Sequence, residues 1–70
     1  MLKKYSKVKI KDMPLSDYLS LNEQDRETID MYWDEIGVVM AVSERVVKIA
    51  FPSSTNMEMI HRSILEETNE

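Results

Sequence analysis

The chain has 70 residues, 43% of them hydrophobic and 31% charged, with no cysteine, one histidine and a net charge of −4. That is one domain of ordinary globular composition, close to the smallest size that sustains its own core. Disulfides and thiolate metal sites are excluded by the absence of cysteine, and a histidine-built metal site by His61 standing alone.

No apolar run approaches the ~20 residues of a membrane span. The opening "MLKKYSKVKIK" is basic but has no apolar stretch of the signal-peptide kind, so a reducing cytosol is the expected home. Charge is unevenly spread. Residues 1–11 carry five lysines and no acid, whereas residues 12–35 carry eight acids against Arg26 alone. Such asymmetry bears on partners rather than on fold.

In chain order, "SKVKIKDM" alternates strictly. Val8 and Ile10 share one face and Lys7, Lys9 and Lys11 the other, the pattern of a half-buried strand. Pro14 ends it, because proline cannot donate to a ladder. "SLNEQDRETIDMYWDE" is the one helix candidate. Ser20 with Glu23 fits a capping box, Asn22 is a rival N-cap, and acids crowd the first turn, where the helix dipole favours them. Ile29 has Tyr32 at i+3 and Trp33 at i+4, a short apolar stripe that predicts two to three turns. Its pairing with Ile29 sends Trp33 into the core and leaves Tyr32 as the exposed aromatic. Gly37 is expected to take the positive φ of a turn.

A hairpin follows, "EIGVVMAVSERVVKIAFP". Val47, Ile49 and Phe51 share a face in its second arm. In the first arm Val38, Met40 and Val42 alternate one way, and Val39 and Ala41 the other. A strand buried on both sides, or a bulge near Met40, explains the double pattern. "PSSTN" is a loop by composition. "MEMIHR" reads as a fourth strand and "SILEE" as a short turn that drops Leu65 into the core. The expected core is Val8, Ile10, Val39, Val42, Val47, Ile49, Phe51 and Leu65.

This order of elements resembles the small SH3-like barrels. The residues that carry the resemblance are Lys7, Val8 and Ile10 in the first strand, then Gly37, Val39 and Val42. They continue with Val47, Ile49 and Phe51, and end in His61, Arg62, Ser63, Ile64 and Leu65. The stromal SH3-like subunit of photosystem I, KOW modules and short phage proteins share the outline. The resemblance implies a mainly β fold, a barrel or strongly bent sheet of four to five antiparallel strands. This chain departs from it by a short acidic helix in the first loop. The expected domain is residues 1–65, with residues 16–35 as the acidic helical insertion and residues 66–70 as a polar tail. No ligand signature of those families is present, so the resemblance speaks to fold and not to function.

Several residues invite a chemical reading. His61 is the one side chain whose ordinary pKa lies near neutrality, but Ser53, Ser54 and Ser63 stand in no catalytic motif. The plainer reading is a histidine that closes the last strand. Asp30 with Asp34, and Glu23 with Glu27, lie one helical turn apart and lack the loop geometry of a calcium site. They are a solvated helix face or an acidic docking surface. Lys4, Lys7, Lys9 and Lys11 could contact phosphates without sequence preference, or could guard an edge strand against unwanted pairing.

No catalytic residues, cofactor or metal are expected. The expected function is a non-enzymatic protein–protein interaction module, a small modulator of phage or mobile-element type. It would bind a basic protein through Asp25, Asp30, Tyr32 and Asp34. The competing expectation is a KOW-like nucleic-acid-binding module that uses the lysine strand. A monomer or weak homodimer, with no membrane association, completes the expectation.

Overall fold

A computed structural model describes residues 2–69. The elements are β1 (Lys7–Ile10), α1 (Leu15–Leu19), α2 (Glu23–Tyr32), β2 (Ile36–Val42), β3 (Val46–Ala50), β4 (Glu58–His61), a 3-10 turn (Arg62–Ile64) and β5 (Leu65–Glu67). The five strands form one antiparallel sheet in the order β4-β3-β2-β1-β5. The expected class is therefore met: mainly antiparallel β, with one helix of moderate length set between the first two strands.

The connection between the two edge strands shows why this sheet is not flat. Neighbouring strands lie ~4.8 Å apart, so four steps would separate flat edges by about 19 Å. A 3-10 turn rises ~2 Å per residue, so three residues cover about 6 Å. The chain passes from β4 to β5 through three residues only, and the sheet must curl to bring its edges together. Two backbone bonds fix the crossing. The Arg62 amide donates to the Arg45 carbonyl at 3.0 Å, and the Lys11 amide donates to the Ile64 carbonyl at 3.0 Å.

Inside the curl lie Val8, Ile10, Ile29, Tyr32, Val39, Val47, Ile49, Phe51, Ile60, Ile64 and Leu65. The strand alternation read from sequence holds in β1 and β3, where Val8, Ile10, Val47 and Ile49 turn inward. In β4 it is Ile60 that faces the core, while Met57 and Met59 are exposed. Of the two causes that would explain the double pattern of β2, the bulge is the one present. The pairing with β3 shifts between Val39 and Ala41, so Met40 sits at a bulge.

Gly37 does not take the role expected of it, since no glycine among the described residues has a positive φ. It lies inside β2, opposite Val8. A Cβ there would collide with the Ile49 side chain and come within 2.9 Å of Phe51 Cε1. Glycine is present for close approach. The positive φ belongs instead to Tyr5, at 74°, whose amide donates to the Val39 carbonyl at 2.7 Å.

Four further expectations are corrected. Val42 is 40% exposed at the hairpin end, beyond the reach of the core. Tyr32 and Trp33 exchange roles: Tyr32 is 2% exposed and Trp33 66%. Glu66 and Glu67, expected in a polar tail, are paired in β5 opposite Lys9 and Val8. Glu70 of that tail and Met1 of the expected domain lie outside the described residues. Finally, α1 was not anticipated. It starts at Pro14, whose carbonyl accepts from the Asp17 and Tyr18 amides at 3.0 and 3.2 Å. Of the two N-cap candidates for α2, Asn22 is the one used, its side chain accepting from the Asp25 amide at 2.8 Å.

These contacts set the expected cost of substitutions, measured by chemical denaturation. Phe51→Ala and Ile49→Ala should each lose about 2–5 kcal/mol, as buried large-to-small changes do. Val42→Ala should lose less than about 1 kcal/mol, because its side chain is partly solvated. Gly37→Ala adds a methyl to a filled space and should lose about 1–3 kcal/mol. A neutral Gly37→Ala would refute the close-approach reading.

Candidate functional site

The helical segment between β1 and β2 carries the main irregular surface. Helix α2 turns Ile29 and Tyr32 inward and leaves Asp30, Met31 and Trp33 outward. Tyr32 stacks on Phe51 with ring centroids 4.3 Å apart and planes 5° from parallel. One residue later the chain has rotated by ~100°, so Trp33 projects from the helix end instead. Ile29 supports either neighbour, at i+3 or at i+4. Phe51, far off in sequence, selects Tyr32.

Helix α1 buries no residue of its own. It is tied to α2 by Tyr18, whose ring packs on the core and whose hydroxyl donates to Asp30 Oδ1 at 2.8 Å. Between α1, α2 and the end of β1 opens a cleft of about 320 Å³. Ile10, Met13 and Ile29 form its floor, with Tyr18 on one wall; Leu15 and Trp33 stand at its rim, 69% and 66% exposed. A smaller depression lies across Trp33, lined by Lys9, Trp33, Asp34, Glu35 and Ile36.

The residues expected at a docking face are thus partly brought together. Asp30 and Asp34 are exposed on the helical segment, and Asp34 adjoins Trp33. Asp30 is engaged by Tyr18. Asp25 is half-buried in the first turn of α2. Tyr32 is withdrawn into the core and cannot serve as an exposed anchor. Trp33 takes that place, and Leu15 joins it without having been singled out.

The lysine strand is also only partly free. Lys7 and Lys11 are exposed, and Lys4 reaches over the Tyr5 ring with Nζ 5.1 Å from its centroid. Lys9 is half-buried and its Nζ lies 3.4 Å from Glu66 Oε1. Strand β5 therefore brings acid beside the lysines, which the linear charge pattern did not disclose.

Elsewhere the polar groups look structural. His61 Nδ1 accepts from the Ser63 amide at 3.2 Å and sits 2.8 Å from the Ser63 hydroxyl, capping the 3-10 turn. Arg62 donates to the carbonyls of Ser43 and Glu44 at 3.5 and 3.3 Å, holding the hairpin end. Glu35 accepts from both the amide and the hydroxyl of Ser53. Among the described residues no three His, Cys, Asp or Glu side chains converge as a metal site would need, and no helix is long and apolar enough to cross a membrane.

The Tyr18–Asp30 bond makes a measurable difference. Donation to the Asp30 carboxylate, with some burial and the same negative charge nearby, raises the Tyr18 pKa above its ordinary 10.0. A raised value means that folding favours the protonated phenol. Its contribution is present below the ordinary value and is lost as pH rises through the raised one. Asp30→Asn should lower the alkaline midpoint of one tyrosine in a phenolate absorbance titration, and Tyr18→Phe should remove that component. Identical titration curves for wild type and Asp30→Asn would show that the bond is not formed in solution.

No family model, curated protein or solved structure matches this chain.

Proposed function

We propose that the chain is a non-enzymatic protein–protein interaction module that binds a basic protein partner through its acidic helical segment. The observation that carries this reading is Trp33, 66% exposed at the rim of an apolar cleft and next to the exposed Asp34. Tryptophan is enriched among residues that dominate binding energies, and leaving it in water is unfavourable for an unpartnered chain. The eight acids of residues 12–35, against one arginine, would speed encounter with a basic surface. The docking residues become Asp25, Asp30, Trp33, Leu15 and Asp34, with Tyr32 removed from the set. We read the curled five-stranded sheet as an SH3-like barrel that serves as the rigid support.

Immobilised wild type and Trp33→Ala, both verified folded by circular dichroism, should retain different proteins from a cytosolic extract. Basic proteins held by the wild type should be lost from Trp33→Ala and from Asp34→Lys. Identical retention by all three would remove the function from this face.

The competing expectation, phosphate binding by Lys4, Lys7, Lys9 and Lys11, predicts an affinity that falls linearly in log salt. Glu66 beside Lys9 weighs against it. Titration with duplex DNA or single-stranded RNA should show no binding at about 50 mM salt and tens of micromolar protein, a range in which non-specific binders are readily detected. Saturable binding there, lost on mutating Lys7 and Lys11, would reverse the preference.

A further inference from the structure

Resting on the interaction reading, the geometry points to the kind of segment that the face takes. We infer that the cleft and the adjoining depression are two subsites divided by Trp33. The cleft receives one aliphatic side chain of a partner protein, and the depression receives a neighbouring lysine or arginine.

The two hollows differ in chemistry although they share a wall. The cleft floor is core: Ile10 and Ile29 are buried beneath it, and Met13 packs against them. Its volume of about 320 Å³ is at the small end of ligand pockets and suits a side chain rather than a cofactor. An apolar group entering it would cover surface of Leu15 and Trp33 that now faces water. The hollow beyond Trp33 has two carboxylates, Asp34 and Glu35, and one cation, Lys9. Two of these three are already engaged, Lys9 by Glu66 and Glu35 by Ser53. The Asp34 side chain is exposed with no hydrogen bond or ion pair to another described residue, and together with Glu35, whose partner Ser53 is neutral, it gives the depression its unmatched negative charge. A cation placed there would also lie against the indole of Trp33, whose face attracts it.

An acidic segment is disfavoured by the same arrangement. Asp12 lines the cleft, Asp30 borders it through Tyr18, and Asp34 stands across the indole. The cations nearby are Lys9 in the depression, already paired with Glu66, Lys11 in the cleft lining, and Arg26 on α2, close enough to Tyr18 to act on its hydroxyl. The surroundings of Trp33 therefore match a partner segment that is apolar at one point and positive beside it.

Trp33 is the chain's single tryptophan, so it reports on its own site. The test follows its fluorescence while the protein is titrated with a blocked peptide of sequence Gly-Lys-Leu-Lys-Arg-Gly. Two controls replace the leucine by serine, or the three basic residues by glutamate. The leucine peptide should give a saturable change with a Kd of about 1 mM or below, as a short unstructured ligand allows. Both controls should bind at least about tenfold more weakly. Leu15→Asp, a change at an exposed position, should abolish the preference for leucine over serine. Asp34→Asn should weaken the basic peptide several-fold while leaving the circular dichroism spectrum unchanged.

Equal responses to all three peptides, or none up to several millimolar, would overturn the inference. So would a fluorescence change that follows protein concentration without peptide, which would assign the cleft to a second copy of the chain. If the peptide fails while Trp33→Ala still loses proteins from the extract, the interaction reading stands and only the anchor chemistry is wrong. If both fail, the face has no docking role.

Discussion

The stack of Tyr32 on Phe51 joins the helical segment to the sheet, beside the buried Ile29 and the Glu35–Ser53 hydrogen bonds. Helix α2 has ten residues, too few to persist alone in water. Its buried side chains are Ile29 and Tyr32. The helix exists because those two groups find the sheet, and the ring contact contributes about 0.5–1.5 kcal/mol beyond simple burial. Phe51 can offer its ring because β2 carries no side chain at Gly37, which lets Phe51 and Ile49 close on the strand. A missing methyl on one strand thus decides where a helix on another part of the chain can sit.

The candidate site occupies the ground that this arrangement packs least. Helix α1 has five residues, buries none of them, and is held by the Pro14 carbonyl and by Tyr18 on Asp30. Segments with few buried contacts open at the lowest free energy in a fold. The rim at Leu15 is therefore adaptable, while Trp33, at the end of a helix fixed through Tyr32, is steadier. A docking surface with one firm wall and one yielding wall can admit side chains of somewhat different shape without disturbing the sheet below it.

Much of the sheet was legible because its signals are local. Alternation in residues 7–10 and 46–50 sets the inward faces, and the conflicting alternations around Met40 leave a doubly buried strand or a bulge, of which the register contains the bulge. What escaped depends on residues far apart in sequence. The choice between Tyr32 and Trp33 rests with Phe51, 19 positions beyond Tyr32. The exposure of Val42 depends on where the core stops, and strand propensity says nothing about that. The strand at Leu65–Glu67 has two acids among three residues, and only the neighbouring β1 makes it a strand. The candidate site was legible as an acidic, aromatic segment, while its cleft was not, because Ile10, Leu15, Tyr18 and Ile29 meet only after folding.

Strand β1 lies between β2 and β5, and this has a bearing on the path of the chain. The Thr68 amide donates to the Lys7 carbonyl at 2.9 Å, so the first and last strands run side by side. Seen this way the backbone is nearly a ring, interrupted beside β1. A short linker from residue 69 to residue 6, with a new opening at Glu44 and Arg45 in the exposed hairpin tip, would leave every strand its neighbours. The rearranged chain would change the sequence distances over which strands must find each other. Pairing of β1 with β5 would become a short-range event, and the meander of β2, β3 and β4 would be split by the cut between β2 and β3. Because folding speed follows such distances, the order in which strands assemble would shift while the final topology stayed the same.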